Sequence, residues 1–133
     1  MSERITVRSL TGTQVEATNG KSKIVLDLPA ADGGAADGLG PHETLLAALG
    51  GCTAMTVAAY ARRKAWPLEG SEIALAREKP AVGAGDVPTR IVVTIKFFGP
   101  LDETQRARLL EIAGKCPVNR TLSGRIEIVE ALA

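Results

Sequence analysis

The most marked shortage in this 133-residue chain is of aromatic side chains, since it contains one tryptophan, one tyrosine and two phenylalanines. Aliphatic residues and alanine must therefore build most of the core, which gives little bulk per residue. The chain also carries 14 glycines and 7 prolines, so we expect a single subunit to be marginally stable and to gain from burial against a second one. Its length suits one domain, which we predict to span residues 1–133.

An excess of charge of one sign is also missing. Sixteen Lys and Arg face fifteen Asp and Glu, which leaves a net charge of +1 and no basic tract of the kind that binds nucleic acid. The longest apolar run, Leu45–Leu49, is far shorter than the roughly 18–20 residues of a membrane span. The first residues do not form a signal-peptide core. We therefore expect a cytoplasmic protein with neither nucleic acid nor membrane as a partner.

Metal-binding and disulfide-forming residues are scarce as well. The two cysteines, Cys52 and Cys116, are 64 positions apart, and the chain has one histidine. This excludes a secreted disulfide framework and a four-ligand zinc site, and no CxxC motif is present. We expect no metal and no cofactor. The cysteines are either two inert core residues or a working pair.

The pattern of apolar residues predicts an α+β fold. Period-two alternation and turn signals, Asn19-Gly20 above all, predict an antiparallel meander at the start of the chain. A glycine-rich loop precedes a long helix that begins at Pro41 and ends at Trp66-Pro67. The order of elements is βββ-α-ββ-α-β, which is typical of an α+β protein rather than of a parallel βαβ sheet. The predicted strands span residues 4–10, 14–17, 23–28, 71–77, 90–98 and 124–129, and Asp102 caps the second helix.

Each cysteine has a local setting that bears on its reactivity. Pro117 can open a short helix with Cys116 at its cap position, where the helix dipole and Arg120, one turn further on, favour a thiolate. Cys52 lies inside the long helix, next to Gly50-Gly51. Two glycines there cost about 1 kcal/mol each relative to alanine, so something must approach that backbone closely. Helix geometry alone puts Glu43 and Cys52 on faces roughly 180° apart.

Two segments closely resemble the OsmC/Ohr family (osmotically inducible and organic hydroperoxide resistance proteins). They are Gly-Pro-His-Glu-Thr-Leu-Leu-Ala-Ala-Leu-Gly-Gly-Cys-Thr-Ala-Met-Thr at 40–56 and Cys-Pro-Val-Asn-Arg-Thr-Leu at 116–122. The resemblance covers nearly the whole chain and agrees with the predicted order of elements. It implies an intertwined homodimer with sites at the interface, and a cysteine peroxidase that reduces organic hydroperoxides without metal or haem.

The resemblance also implies roles for individual residues. Cys52 matches the cysteine that attacks the peroxide, Cys116 the resolving cysteine that forms a disulfide with it, and Glu43 an activating carboxylate. An external dithiol would reduce the disulfide. The residues expected on the substrate side are His42, Gly51 and Arg120.

The chain departs from the hydroperoxide reductases of that family at two points. His42 follows the motif proline where those enzymes have glutamate, and Glu43 comes one position later. Their activating arginine would fall near Thr13 or Gln14, so it is missing here. The candidates to replace it are Arg8, Arg90 and Arg120.

Two other interpretations stay open at this point. A diverged family member could bind a small apolar or electrophilic ligand at the dimer interface without efficient peroxidase turnover. Alternatively, both cysteines could be ordinary core residues, since free cysteine is among the most buried residue types.

Overall fold

The structure is a computed structural model that describes residues 2–133. The chain divides into two compact units, residues 1–47 and residues 48–133. The expectation of one domain over 1–133 stays a prediction.

The first unit contains the predicted meander. Strands β1 (Thr6–Ser9), β2 (Val15–Thr18) and β3 (Lys23–Leu26) form an antiparallel sheet in the order β1-β2-β3. The β2–β3 turn forms as the Asn-Gly signal predicts: Asn19 Oδ1 accepts hydrogen bonds from the N–H groups of Lys21 and Ser22 at 3.0 and 2.8 Å. Gly20 has a φ of 98°, a conformation that glycine adopts without strain.

The loop after β3 is anchored by a buried carboxylate. Asp27 is 4% exposed and accepts hydrogen bonds from Thr13 Oγ1 at 2.6 Å and from the N–H groups of Leu28 and Ala35 at 2.8 and 3.0 Å. The loop contains a short 3-10 helix, Ala30–Asp32. Asp27 therefore holds the loop at two points, Leu28 and Ala35.

The long helix α1 spans Pro41–Lys64. It begins at Pro41 as predicted, because proline lacks only a hydrogen bond that the first turn does not make. Its end is set at Ala65, which has a left-handed φ of 54°. The predicted start and end of this helix are confirmed.

The expectation that no segment is long enough to span a membrane is wrong on length and composition. Helix α1 contains an apolar window of mean hydropathy 1.5, because residues 44–61 carry no charge. Its buried side chains nevertheless pack in a protein core: Val57 and Ala61 contact the cluster that includes Leu109. One third of the apolar window is buried.

The second unit carries the aliphatic core. Strands β4 (Gly70–Glu78) and β5 (Arg90–Phe98) form the predicted antiparallel hairpin, with Ile73 opposite Ile95. Helix α2 (Glu103–Ala113) is capped by Asp102 as predicted, and the structure adds that Asp102 and Gln105 form a capping box in which the Asp102 side chain accepts from the N–H of Gln105. The buried cluster consists of Val57, Ala61, Phe97, Leu101, Leu109 and Ala113.

A third helix and the last segment complete the chain. Helix α3 spans Pro117–Ser123. The sixth strand predicted over residues 124–129 does not form in this single chain, where residues 124–133 have no regular secondary structure and are exposed. A strand needs a neighbouring strand for its backbone hydrogen bonds, and this segment has none within residues 2–133. The α+β class is confirmed.

Candidate functional site

The tertiary structure brings together the two cysteines that lie 64 positions apart. Cys52 lies on helix α1 and is partly exposed, whereas Cys116 is 0% exposed. Both are free thiols, and the Cys116 side chain is near enough to Cys52 to help lower the pKa of the Cys52 thiol. The prediction that Cys116 caps the short helix is confirmed, since its Sγ accepts from the N–H of Asn119 at 3.3 Å.

Thr53 connects helix α1 to the buried thiol. Its hydroxyl donates to the carbonyl of Leu49 at 2.9 Å and lies 3.7 Å from Cys116 Sγ. Thr53 is itself 2% exposed. The Cys116 sulfur is therefore held from two sides, by Asn119 on its own helix and by Thr53 on helix α1.

The environment of Cys52 favours its thiolate. Burial raises the pKa of the Cys52 thiol, but three hydrogen bonds lower it, and the net pKa lies below the ordinary value. The donors are the backbone N–H of Val118 and the side chains of Cys116 and Thr56. Hydrogen bonds that favour the charged form of a group stabilise that form, which for cysteine is the nucleophile.

The two glycines before Cys52 have different surroundings. A Cβ on Gly50 would lie 2.6 Å from Leu75 Cδ1, so strand β4 approaches this turn of the helix closely. A Cβ on Gly51 would meet nothing within 4 Å. Packing explains Gly50, whereas the position of Gly51 is open.

The other predicted side chains make no hydrogen bond to either cysteine sulfur in the part of the chain that the structure describes, although the Arg120 backbone N–H donates to the carbonyl of Cys116 at 3.2 Å. The carboxylate of Glu43 accepts the N–H of Gly40 at 2.8 Å, and His42 is exposed on the first turn of α1. Both belong to residues 1–47, so their roles at Cys52 stay predictions. Arg120 is exposed on α3, and its guanidinium has no hydrogen bond or ion pair in the part of the chain that the structure describes. Arg90 pairs with Glu78 at 3.8 Å.

Sequence reasoning assigned no role to Thr56 or to the Val118 backbone. Thr56 follows Cys52 by four residues, a helical spacing that brings side chains together, so this contact had a signal in the sequence. The Val118 N–H has none, because Val118 lies 66 positions after Cys52 in the chain and only the tertiary structure brings it near that thiol.

The arrangement is suited to thiol chemistry. A partly exposed thiol of lowered pKa lies against a buried second thiol, with open space at Gly51 on the same turn of helix. Within residues 2–133, no cluster of three metal-ligating side chains is present. These features define an α+β protein with a paired-thiol site.

Comparison with known proteins gives the family. The sequence model of the OsmC-like protein family matches residues 33–130, and the chain belongs to that family. A comparison with curated protein sequences gives no match.

Solved structures share this fold at low sequence identity. An OsmC-like protein from Mycoplasma pneumoniae is 23% identical with a TM-score of 0.79, over 93% of this chain and 89% of that one. An organic hydroperoxide resistance protein OsmC from Legionella pneumophila is 19% identical with a TM-score of 0.66, over 91% and 90%. The organic hydroperoxide resistance protein OhrB of Bacillus subtilis is 21% identical with a TM-score of 0.62, over 93% and 92%. At these identities the likeness shows the fold.

Proposed function

We propose that this protein is a thiol-dependent peroxidase that reduces organic hydroperoxides. The observation that carries the proposal is the contact between Cys52, whose pKa is lowered, and Cys116, which is fully buried. Membership of a family that includes organic hydroperoxide resistance proteins supports it.

In the first step the Cys52 thiolate attacks the terminal oxygen of the hydroperoxide. The O–O bond breaks, Cys52 becomes a sulfenic acid, and the alkoxide leaving group takes up a proton and departs as an alcohol. The hydrogen bonds from Val118 and Thr56 keep the thiolate populated before the attack. The space beside Gly51 gives the substrate room to approach.

In the second step Cys116 resolves the sulfenic acid. Its sulfur attacks Cys52 Sγ, a disulfide forms and water leaves. Asn119 and Thr53 hold the Cys116 sulfur in place for this step. An external dithiol then exchanges with the Cys52–Cys116 disulfide and restores both thiols while it is itself oxidised.

Hydrogen bonds replace the missing arginine in this proposal. An arginine would stabilise the thiolate by charge, whereas Val118 and Thr56 do so with neutral donors. Neutral hydrogen bonds are weaker than charge-assisted ones, so we expect a Cys52 thiolate less populated at neutral pH than one beside a guanidinium. Glu43, His42 and Arg120 are proposed to act on the substrate side or as activating groups once a second subunit is present.

We further propose a cytoplasmic homodimer with neither nucleic acid nor membrane as a partner. Several apolar side chains of the first unit are exposed in the single chain, Val7 at 57% and Ile24 at 53% among them. The segment 124–129 keeps its strand-like alternation without a neighbour to pair with. A second subunit would cover these apolar side chains and would supply a neighbouring strand for segment 124–129. Analytical ultracentrifugation of the purified protein tests whether it is a dimer.

A second candidate function is the binding of a small apolar ligand without efficient turnover. It is favoured by an apolar cavity of about 380 Å³ on the β1–β2–β3 sheet, lined among others by Val7, Val15 and Ile24. Slow, unselective oxidation of Cys52 together with saturable ligand binding would favour this candidate.

The deciding experiment is a reaction of the reduced protein with one equivalent of cumene hydroperoxide, followed by stopped flow and intact mass. We expect thiol loss far faster than for a free thiol, with the mass of two hydrogen atoms lost. Cys116→Ser should stop at the sulfenic acid, and Cys52→Ser should consume no peroxide. Oxidation at the rate of a free thiol, or unchanged turnover in Cys52→Ser, would overturn the proposal.

A further inference from the structure

A second site-like feature lies in the 48–133 unit, where the last turns of helix α1 face helix α2. A groove of about 580 Å³ opens there, bordered by Tyr60, Lys64 and Trp66 on one side and by Glu103, Arg108 and Glu111 on the other. None of these residues takes part in the thiol chemistry. The groove holds the single tyrosine and the single tryptophan of the chain.

The two aromatic rings form a rigid apolar wall. The rings of Tyr60 and Trp66 meet edge to face, with centroids 5.6 Å apart and an interplanar angle of 73°, a favoured geometry for an aromatic pair. Both side chains pack against the core cluster. A ligand in the groove would therefore meet a preformed surface.

Positive charge converges on the same wall. Arg63, Lys64 and Arg108 each place their cationic group 5.5–5.7 Å from the centroid of the Tyr60 ring. The negative end of the α1 dipole also lies here, and it offsets part of this charge. Arg108 forms an ion pair with Glu111 at 2.8 Å, but Lys64 forms no ion pair within residues 2–133.

The hydrogen-bond donors of the groove suit a ligand that carries an acceptor. Arg108 Nε donates to the Tyr60 hydroxyl oxygen at 3.1 Å, which uses a lone pair of that oxygen and leaves its O–H available to donate. The hydrogen bond from Arg108 lowers the pKa of Tyr60 against the opposing effect of burial, and the charges of Arg108, Lys64 and Arg63 lower it further. The local field at the Tyr60 hydroxyl therefore favours negative charge, although Glu103 and Glu111 also border the groove.

We propose that this groove binds a small organic carboxylate with an aromatic or apolar body. The carboxylate would accept from the Tyr60 hydroxyl, from Arg108 and from Lys64, and the body would lie along the Tyr60–Trp66 wall. Small-ligand sites typically combine such an apolar surface with a few convergent polar groups. Glu103 at the opposite border selects against ligands with a second negative charge.

Trp66 makes the test direct, because the chain has one indole and hence one indole N–H signal in a proton–nitrogen correlation spectrum. The full-length protein is titrated with 3-phenylpropionate, with its neutral analogue 3-phenylpropanamide and with inorganic phosphate. We expect a saturable shift of the indole signal with the carboxylate. The amide and phosphate should bind at least about tenfold more weakly, since each lacks one of the two features that the groove recognises.

Three variants locate the interaction. Arg108→Gln and Tyr60→Phe should each weaken 3-phenylpropionate binding by about tenfold, the loss of one charge-assisted or neutral donor. Arg63→Gln is the matched control, because it removes a cation near the same ring that does not border the groove, and its affinity should stay within about threefold of the parent. Tyr60→Phe keeps the ring, so it remains informative if Arg108→Gln fails to fold.

Equal affinity for the acid and the amide would overturn the proposal, as would unchanged affinity in Tyr60→Phe. Absence of a saturable shift in the parent protein would overturn it too. None of these measurements depends on the redox state of the cysteines.

Discussion

The two units of the chain bury opposite kinds of side chain. In residues 48–133 the buried side chains are mostly aliphatic, such as Val57 and Leu109, both 0% exposed. In residues 2–47 the one buried side chain is the carboxylate of Asp27, and Gly40 is the other buried residue. One unit is held by an apolar core and the other by a sheet and a hydrogen-bonded charge.

The two units therefore differ in how far a single subunit buries their apolar side chains. The apolar core of residues 48–133 stabilises the fold around the paired thiols in the single chain. The sheet of residues 1–47 has its own backbone hydrogen bonds but leaves residues such as Val7 and Ile24 exposed. The expected gain from a second subunit, inferred first from the scarcity of aromatic residues, therefore includes cover for the first unit as well as a partner for segment 124–129, where Ile128 is 80% exposed.

The largest effect is expected from truncating the apolar core. Leu109→Ala should lower the free energy of unfolding by about 3 kcal/mol, because it removes a fully buried side chain and leaves a cavity. Leu110→Ala, in the next position of the same helix but 59% exposed, is the matched control and should change it by less than about 0.5 kcal/mol. Urea unfolding measures both. Similar losses in the two variants would break the contrast between core and surface in α2.

The buried carboxylate gives the first unit a dependence on pH. The hydrogen bond from Thr13 lowers the pKa of Asp27, burial opposes it, and the N–H groups of Ala35, Leu28 and Asp37 lower the pKa further. Because the folded pKa lies below the unfolded value of about 3.9, the stabilisation is present above that value. It is lost as the pH falls through the folded pKa.

Asp27→Asn should therefore lower stability at neutral pH and flatten its fall in acid. Urea unfolding of parent and variant at neutral pH and at several pH values below 4 measures the difference between them. Asp37→Asn, whose side chain is exposed, is the control. A parent–variant difference that stays constant down to the lowest pH would contradict this role.

Substitutions of the two glycines should change the stability by less, and one of them should raise it. Gly51→Ala should stabilise the protein by up to about 1 kcal/mol, because alanine is the better helix former and its methyl group would enter open space. Gly50→Ala gains the same propensity but must displace Leu75, so it should be less stable than Gly51→Ala. Thermal unfolding of the two variants decides. Equal stability would mean that strand β4 accommodates the methyl group without cost.

The smallest effect is expected from Thr56→Val, a substitution that acts on the candidate site alone. It keeps the shape of the side chain and removes the Thr56 hydroxyl that lowers the pKa of Cys52, so that pKa should rise. The rate of alkylation by iodoacetamide as a function of pH measures it. Thr56→Ser, which keeps the hydroxyl, should leave the profile near that of the parent, and identical profiles for all three proteins would remove Thr56 from the activation.

Patterns of short range predicted most of the fold. The strand over residues 90–98, the Asp102 cap and the helix start at Pro41 each depend on neighbouring residues, and each was confirmed. The sixth strand failed because a strand depends on a neighbour that its own residues cannot specify. The 44–61 stretch was misjudged for a related reason: glycines and threonines interrupt the apolar run without adding charge.

At the candidate site the two cysteines and the cap position of Cys116 were predicted, but not the groups that surround Cys52. Thr56 lies within the reach of helical spacing and could have been found. The Val118 N–H and the contact of Thr53 with Cys116 could not, because they join α1 to a helix more than 60 positions away.

The sequence by itself determined the α+β class, the boundaries of the long helix and the identity of the two thiols, because these follow from periodicity, capping residues and side-chain chemistry. Only the tertiary structure decided which thiol is exposed, which donors lower the pKa of Cys52, and that Tyr60, Trp66 and Arg108 share a groove. These depend on distances between segments remote in the chain. Such distances are set by the packing of whole elements and not by any local pattern.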